Sequence, residues 1–314
     1  MKRLQAVSLL PALLVLLGSP GTGRAAQETV IRFAFQDRIG EMIPIVATKM
    51  GFFDDEGLHV ESLRFSSGPA CAEALYSGAA DIGTMGDTAA VIAVARNPEF
   101  VILASNATGE DRHRLMVRSD SKAKALKDLK GRRLGVKKGT STYGGLLAAL
   151  DKEGIYPDEL DIVDLDPPAM VEALLAGSLD GFVASEPTPS AAETKGARQL
   201  MTLGGLGNEY PILIVADRKR LAGREREIRS FLKALKRAEQ YAADHPDETA
   251  AIMADETGLS PKVAEEAMKR HRYGIRLDGA ILSSLERTAR FLQGQKILEE
   301  LPDIAGATQP DFLD

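Results

Sequence analysis

Glu73-Ala74-Leu75-Tyr76-Ser77-Gly78-Ala79-Ala80-Asp81 returns 99 residues later as Glu172-Ala173-Leu174-Leu175-Ala176-Gly177-Ser178-Leu179-Asp180. In each copy the glycine suits a helix C′ position with positive φ, and the aspartate opens the next apolar run. A second landmark keeps nearly the same spacing: Glu56-Gly57 is echoed by Glu153-Gly154, 97 residues on, each pair ending a helix before a strand. Two matched landmarks predict two lobes of similar topology, followed by an unmatched helical segment from Arg218 to Asp314. The repeat is read as structural, not as ligand contact.

Outward from the repeat, short apolar runs alternate with helical patterns, the signature of a mostly parallel sheet covered by helices, so the fold class is α/β. Strands are predicted at 31–36, 59–65, 81–85, 100–105, 115–118, 133–137, 161–165, 181–184 and 211–216, with helices between them. In the tail, Gly258 stops one helix and Ser260-Pro261 starts another.

Composition narrows the function classes. The 314 residues, 44% hydrophobic and 27% charged, suffice for about two domains. Aromatics are 5%, tryptophan is absent, and scattered basic residues accompany a formal charge of −6, which argues against a stacking platform or polyanion groove. No nucleic-acid partner is expected. Lys2 and Arg3, the apolar stretch Ala6 to Leu17 and the small residues of Gly23-Arg24-Ala25 read as a signal peptide, 1–25, cut after Ala25. Its apolar stretch is too short to span a bilayer. Cys71, the single cysteine, excludes an intrachain disulfide, does not follow the signal peptide as a lipid-bearing cysteine would, and is read as a small buried hydrophobe.

The series Met50-Gly51-Phe52-Phe53-Asp54-Asp55-Glu56-Gly57-Leu58, Ser67-Gly68, the first repeat copy with Ile82-Gly83, Asp128-Leu129-Lys130-Gly131 and Gly139-Thr140-Ser141-Thr142 resembles the sulfonate, nitrate and taurine-binding family of ABC transporter solute-binding proteins. The order and spacing of these motifs, over roughly Ile31 to Ala216, carry the resemblance. It implies a two-lobe periplasmic-binding-protein fold of type II, each lobe a mostly parallel sheet flanked by helices, with two crossovers near Asn106 to His113 and Leu203 to Tyr210. Lobe 1 would comprise 26–108 and 209–314, and lobe 2 would comprise 109–208. The implied protein is a soluble periplasmic monomer that captures a small anionic or zwitterionic solute and serves a permease in the inner membrane. The chain departs from many relatives in having Ser185-Glu186-Pro187 after the second lobe's last strand.

In open α/β sheets ligands bind beyond the carboxyl ends of strands. That rule selects Gln36, Asp37 and Arg38; Ser66, Ser67 and Gly68; Gly86, Asp87 and Thr88; Gly139, Thr140, Ser141 and Thr142; and Glu186. Thr140, Ser141 and Thr142 open a helix with three hydroxyls, free N–H groups and a positive dipole end, which suits an oxyanion; the alternative is a hydroxyl that caps the helix. Asp87 either caps its helix or faces the cleft. Asp37 and Arg38 form either a clamp for a zwitterion or a solvated pair, and Glu186 either meets the ligand or is a helix-start carboxylate.

Catalytic chemistry finds little support. His59, His113, His245 and His271 are far apart with no second ligand type at metal spacing, there is no Gly-x-Ser-x-Gly elbow, and Lys137-Lys138-Gly139-Thr140 is not a P-loop. No catalytic residue, metal or cofactor is expected. The rival readings are a secreted enzyme on the same fold and a sensor module for a membrane signalling partner.

Overall fold

The computed structural model describes residues 30–313; the predicted signal peptide lies outside them. The chain begins β1 (Val30–Gln36), α1 (Met42–Lys49), α2 (Phe52–Asp55), β2 (His59–Phe65), α3 (Gly68–Tyr76), β3 (Ile82–Gly86), α4 (Asp87–Arg96) and β4 (Phe100–Thr108). It continues with β5 (His113–Arg118), β6 (Arg133–Val136), α5 (Ser141–Lys152), β7 (Asp161–Asp164), α6 (Pro167–Leu175), β8 (Gly181–Ser185), α7 (Thr188–Thr194) and β9 (Ala197–Thr202). The last part holds β10 (Ile212–Asp217), α8 (Arg218–Leu221), α9 (Glu225–Asp244), α10 (Pro246–Thr257), α11 (Pro261–Met268), β11 (Arg272–Arg276) and α12 (Gly279–Gly294).

Two sheets result, ordered β11-β4-β10-β3-β1-β2 and β7-β6-β8-β5-β9. In the first, β10 and β11 run against the other four strands; in the second, only β5 is reversed. The class is therefore α/β with mostly parallel strands. The chain passes from the first sheet to the second between Thr108 and His113 and returns between Thr202 and Ile212.

Both sheets are buried on both faces, and the period of two along a strand decides which face each side chain fills. Phe33 and Phe35 join Phe53, Phe231 and Leu235 on one face of the first sheet, while Ala34 points to the other with Leu75, Met85 and Leu285. In the second sheet Leu115 and Val117 pack toward α5, and Met116 packs toward α6 with Met170 and Leu174.

The sequence repeat has a physical basis. Gly78 and Gly177 adopt φ of 72° and 73°, the left-handed turn that ends α3 and α6. Immediately before β3 and β8, the repeated aspartate ties two strands: Asp81 accepts from the backbone N–H of Arg32 at 2.9 Å, and Asp180 accepts from that of Arg133 at 3.0 Å. The same carboxylate device thus starts the central strand of each lobe.

Two strands escape the sequence pattern. β9 is an edge strand with half-buried Arg198, Gln199 and Thr202, so it shows no alternation, and β11 interrupts the tail predicted as helical. Short edge strands present polar residues that read as loop. As expected, Gly258 closes α10 at φ 69° and Ser260-Pro261 opens α11, while Cys71 is buried in the core behind α3.

Candidate functional site

The carboxyl ends of strands from both sheets converge on a cavity of about 460 Å³. The first sheet contributes Gln36, Asp37 and Arg38 beyond β1 and Arg64 to Ser67 at the end of β2. The second contributes Lys137, Thr140 and Thr142 beyond β6, and Glu186 with its neighbours at the end of β8. An apolar wall of Pro167, Pro168, Met170 and Val171 at the start of α6 continues through Val183 and Ala184 to Ala191 on α7. Of the residues predicted from sequence, Gln36, Asp37, Arg38, Ser66, Ser67, Thr140, Thr142 and Glu186 are brought together here.

Arg38 is the under-committed cation of this cavity. Its Nη2 stands 3.4 Å from Glu41 Oε1, and its buried Nε has no hydrogen-bond partner. Glu41 itself is fully buried but receives closer neutral donors: the Thr84 hydroxyl at 2.8 Å and Asn106 Nδ2 at 2.8 Å, with Gln36 Nε2 at 3.2 Å. The Arg38 side chain is mostly buried, 14% exposed, and lines the cavity with Glu41 as its one ion-pair partner among the described residues.

The other charges are engaged. Arg64 donates to Asp37 at 2.8 Å and also reaches Glu256. Lys137 sits 3.1 Å from Asp166, whose hydrogen bond raises the lysine above its ordinary pKa, and Lys195 sits 2.5 Å from Glu172. Glu186 is fully buried: Arg114 Nη1 donates to it at 2.9 Å, the Ser190 backbone N–H at 3.2 Å, and Arg270 Nε lies 3.8 Å away. Arg114, 2% exposed, also donates to Gln199 at 2.6 Å and to Glu193. Arg270 belongs to the segment between α11 and β11, so Glu186 stands between a cation of each lobe.

Several expectations are corrected. Thr140 is the N-cap of α5: its hydroxyl donates to the Lys137 carbonyl at 2.6 Å and accepts from the Tyr143 N–H at 3.3 Å. The Thr142 hydroxyl pairs with His113 Nδ1 at 2.9 Å. Asp37 pairs with Arg64 at 2.8 Å and not with Arg38, and it lines the cavity. Asp87 neither caps α4, whose N-cap is Gly86, nor lines the cavity; Asn208 Nδ2 and the Thr288 hydroxyl each donate to it at 2.9 Å.

Gly68, Gly86, Thr88, Gly139 and Ser141 also lie off the cavity, because α5 abuts the starts of α3 and α4. A β-carbon on Gly86 would stand 2.0 Å from Ser141 Oγ, and one on Gly144 2.5 Å from Thr88 Oγ1. Gly68 packs on Met85, and Gly139 on Pro69. These residues let the lobes touch. Gly86→Ala is accordingly expected to turn the Ser141 hydroxyl, which has no hydrogen-bond partner to lose, at a cost of up to about 1 kcal/mol. Thermal unfolding checks this: the midpoint of the variant should fall by no more than a few degrees.

Sequence reasoning missed Arg64, Lys137, Arg114, Arg270 and the α6 wall. Part of this was within reach of the repeat, since the offset of 99 residues that links Glu73 to Glu172 also carries Pro69 onto Pro168. Arg114 and Arg270 left no local signal, because their roles depend on contacts with Glu186 across long sequence separations.

Behind the cavity, His113 and His271 are buried neutral. Burial first, and the charge of Arg112 next, holds His113 well below its ordinary value and His271 down to about 3. The unfolded chain binds protons at these sites below about pH 6.5 while the folded chain does not, so stability present above that pH is lost as pH falls toward 3. The expected slope is up to about 1.4 kcal/mol per pH unit for each histidine. Melting curves between pH 6.5 and 4 should show it, and His271→Gln should flatten the dependence.

Among the described residues there is no helix long and apolar enough to cross a membrane and no cluster of side chains suited to a metal ion. The taurine-binding periplasmic protein of Escherichia coli K12 is 28% identical over 287 residues, covering 86% of this chain and 88% of that protein. The solved structure of the alkanesulfonate-binding protein SsuA from Xanthomonas axonopodis pv. citri bound to MOPS superposes with a TM-score of 0.83 at 23% identity, covering 91% of this chain and all of that one. The desulfurization enzyme DSZB shares the fold at a TM-score of 0.73 and 20% identity, over 90% of this chain and 97% of that one. A family profile described as NMT1/THI5 like matches residues 41–249, about two thirds of the sequence, and with that coverage the chain belongs to the NMT1/THI5-like family.

Proposed function

We propose that this chain is the solute-binding protein of an ABC importer. It is exported by residues 1–25, captures a small anionic or zwitterionic organic solute of the sulfonate or taurine class between its lobes, and delivers it to a permease in the inner membrane. The observation that carries the reading is the Arg38 guanidinium, held by one ion pair of 3.4 Å to Glu41, at a cavity lined by strand ends of both sheets. The names of the E. coli and Xanthomonas relatives support the same solute class.

The mechanism follows from the lining. Lobe 1 (26–108 with 209–314) presents Arg38 and Ser67, and lobe 2 (109–208) presents the apolar wall. A solute that touches both surfaces favours the closed arrangement by its differential affinity, and release requires the permease to favour the open one.

Native mass spectrometry of the protein taken from the periplasm, followed by denaturation, tests the proposal. The expected result is a co-purified organic anion recovered unaltered. Turnover of that compound would favour the enzyme, and absence of binding to any sulfonate or carboxylate by calorimetry would overturn the reading.

A further inference from the structure

We propose that the pole of lobe 2 opposite the cavity is a docking surface for a bilayer rich in anionic phospholipid. The strand directions fix where this pole lies. β6 and β8 send their carboxyl ends to the cavity, so their amino ends point away from it, and the register brings the carboxyl end of the reversed β5 beside them: Val117 pairs with Gly181 and Arg118 with Ala197. The connection from β5 to β6 crosses this pole. From Arg118 to Arg133 the sequence holds seven basic residues and two acidic ones, a net charge of +5 in a chain of net −6. The basic residues that look scattered over the whole sequence are concentrated here.

Packing decides which way these side chains point. Ala123, Leu126 and Leu129 are buried in the lobe core, and Arg198 on β9 donates to the carbonyls of Ser121 at 3.0 Å and Ala123 at 2.6 Å, so the connection is pinned at intervals and its lysines face solvent. The acids around it are engaged. Asp120 pairs with Arg118 at 3.0 Å, Glu159 with Lys130 at 2.7 Å and Asp161 with Arg133 at 3.4 Å. Asp128 accepts from the backbone N–H groups of Lys124 and Ala125, and Asp180 from that of Arg133. Lys122, Lys124, Lys127 and Arg132 are exposed and, among the described residues, form no ion pair. Against these four cations the adjoining turn offers one exposed acid in no ion pair, Asp158.

Two observations favour a bilayer over an acidic protein. Four cations spread along an exposed connection suit a diffuse negative surface, to which each lysine or arginine adds about fivefold in partition. A protein interface is centred instead on a patch of apolar side chains that becomes buried, and this connection keeps its apolar residues inside. The most exposed large apolar side chain of the described residues, Tyr156 at 73%, stands in the turn before β7. Its backbone N–H donates to Glu159 Oε1 at 2.9 Å and Glu159 Oε2 takes Lys130, so the ring lies beside the basic connection. A tyrosine ring next to lysines suits a membrane–water boundary, where one end of the ring is apolar and the other wet. Held by this pole, a role that presupposes the export proposed above, the protein keeps its cavity turned to the aqueous side for loading.

Co-sedimentation of the mature protein with vesicles tests this. At about 20 mM salt it is expected to bind vesicles containing phosphatidylglycerol and not vesicles of phosphatidylcholine alone, with partition at least about tenfold weaker at about 500 mM salt, where screening acts within a few ångströms. Lys122→Gln, Lys124→Gln, Lys127→Gln and Arg132→Gln combined should lower partition at least about thirtyfold, with thermal unfolding and propanesulfonate binding unchanged. The same substitution at four exposed cations of lobe 1, Arg226, Lys236, Lys262 and Lys296, should lower it by less than about threefold. Equal loss in the two quadruple variants would mean that net charge and not this pole is read, and overturns the docking surface. Absence of binding to the anionic vesicles at low salt overturns it too, and retention on immobilised polyglutamate in that case assigns the cations to an acidic protein. Each of these outcomes leaves the solute-binding reading as it stands, because the cavity lies at the other end of the lobe.

Discussion

Arg114→Leu is expected to destabilise the protein by about 3–5 kcal/mol, the cost of leaving a buried carboxylate with only the longer 3.8 Å contact to Arg270. Arg114 is 2% exposed and Glu186 fully buried, 2.9 Å apart, so solvent cannot replace the lost guanidinium. Gln199 and Glu193 lose their donor in the same substitution. Thermal unfolding should show a midpoint lower by roughly 10 °C, given about 2–4 °C per kcal/mol for chains near this size. Because the penalty is that of an orphaned charge, Glu186→Gln placed on top of Arg114→Leu should recover a good part of the loss. A double variant no more stable than Arg114→Leu would mean that packing of the arginine stem, not its charge, is what matters.

Arg38→Ala should abolish most solute binding in protein shown to be folded. Each charge-assisted hydrogen bond contributes roughly 1.5–3 kcal/mol, so the loss of two amounts to about two to four orders of magnitude in affinity. Arg38→Ala also leaves the fully buried Glu41 without its ion-pair partner, so a stability loss is expected beside the binding loss, smaller than for Arg114→Leu because Thr84, Asn106 and Gln36 remain as donors. Calorimetry with propanesulfonate, together with a denaturation curve, separates the two effects. Arg38→Lys should restore part of the binding, as it returns the charge without the planar fork. A folded Arg38→Ala protein with undiminished affinity would place the anion elsewhere in the cavity.

The α/β class and the family were legible in the sequence because both depend on local features that repeat. Gly78 and Gly177 are needed by a left-handed turn, and Asp81 and Asp180 by strand N–H groups, so the same letters recur at the same spacing. Part of the candidate site was legible for a similar reason: strand ends are local, and Gln36, Arg38, Ser67 and Glu186 follow strand ends. What was not legible depends on how the lobes meet. Gly86, Thr88, Gly139 and Ser141 sit at strand ends too, yet the close approach of α5 to α3 and α4 removes them from the cavity. Thr140 went to capping, a local use that a run of three hydroxyls does not distinguish from ligand binding. β9 and β11 were hidden by their place at sheet edges, where burial does not enforce alternation.

The strand order of the first sheet bears on how the chain is made. β10 lies between β3 and β4, so those two strands, neighbours in sequence, are joined only after residues 212–217 have been synthesised. Until then β4, whose nine residues are all buried in the finished protein, has neither of its partners, β10 and β11, and leaves an apolar edge open to aggregation. The second sheet lies wholly within residues 113–202 and can assemble as soon as its own strands are out. The half of the molecule that begins first is therefore completed last, and chaperone protection has most to do while the chain between 109 and 217 is being delivered.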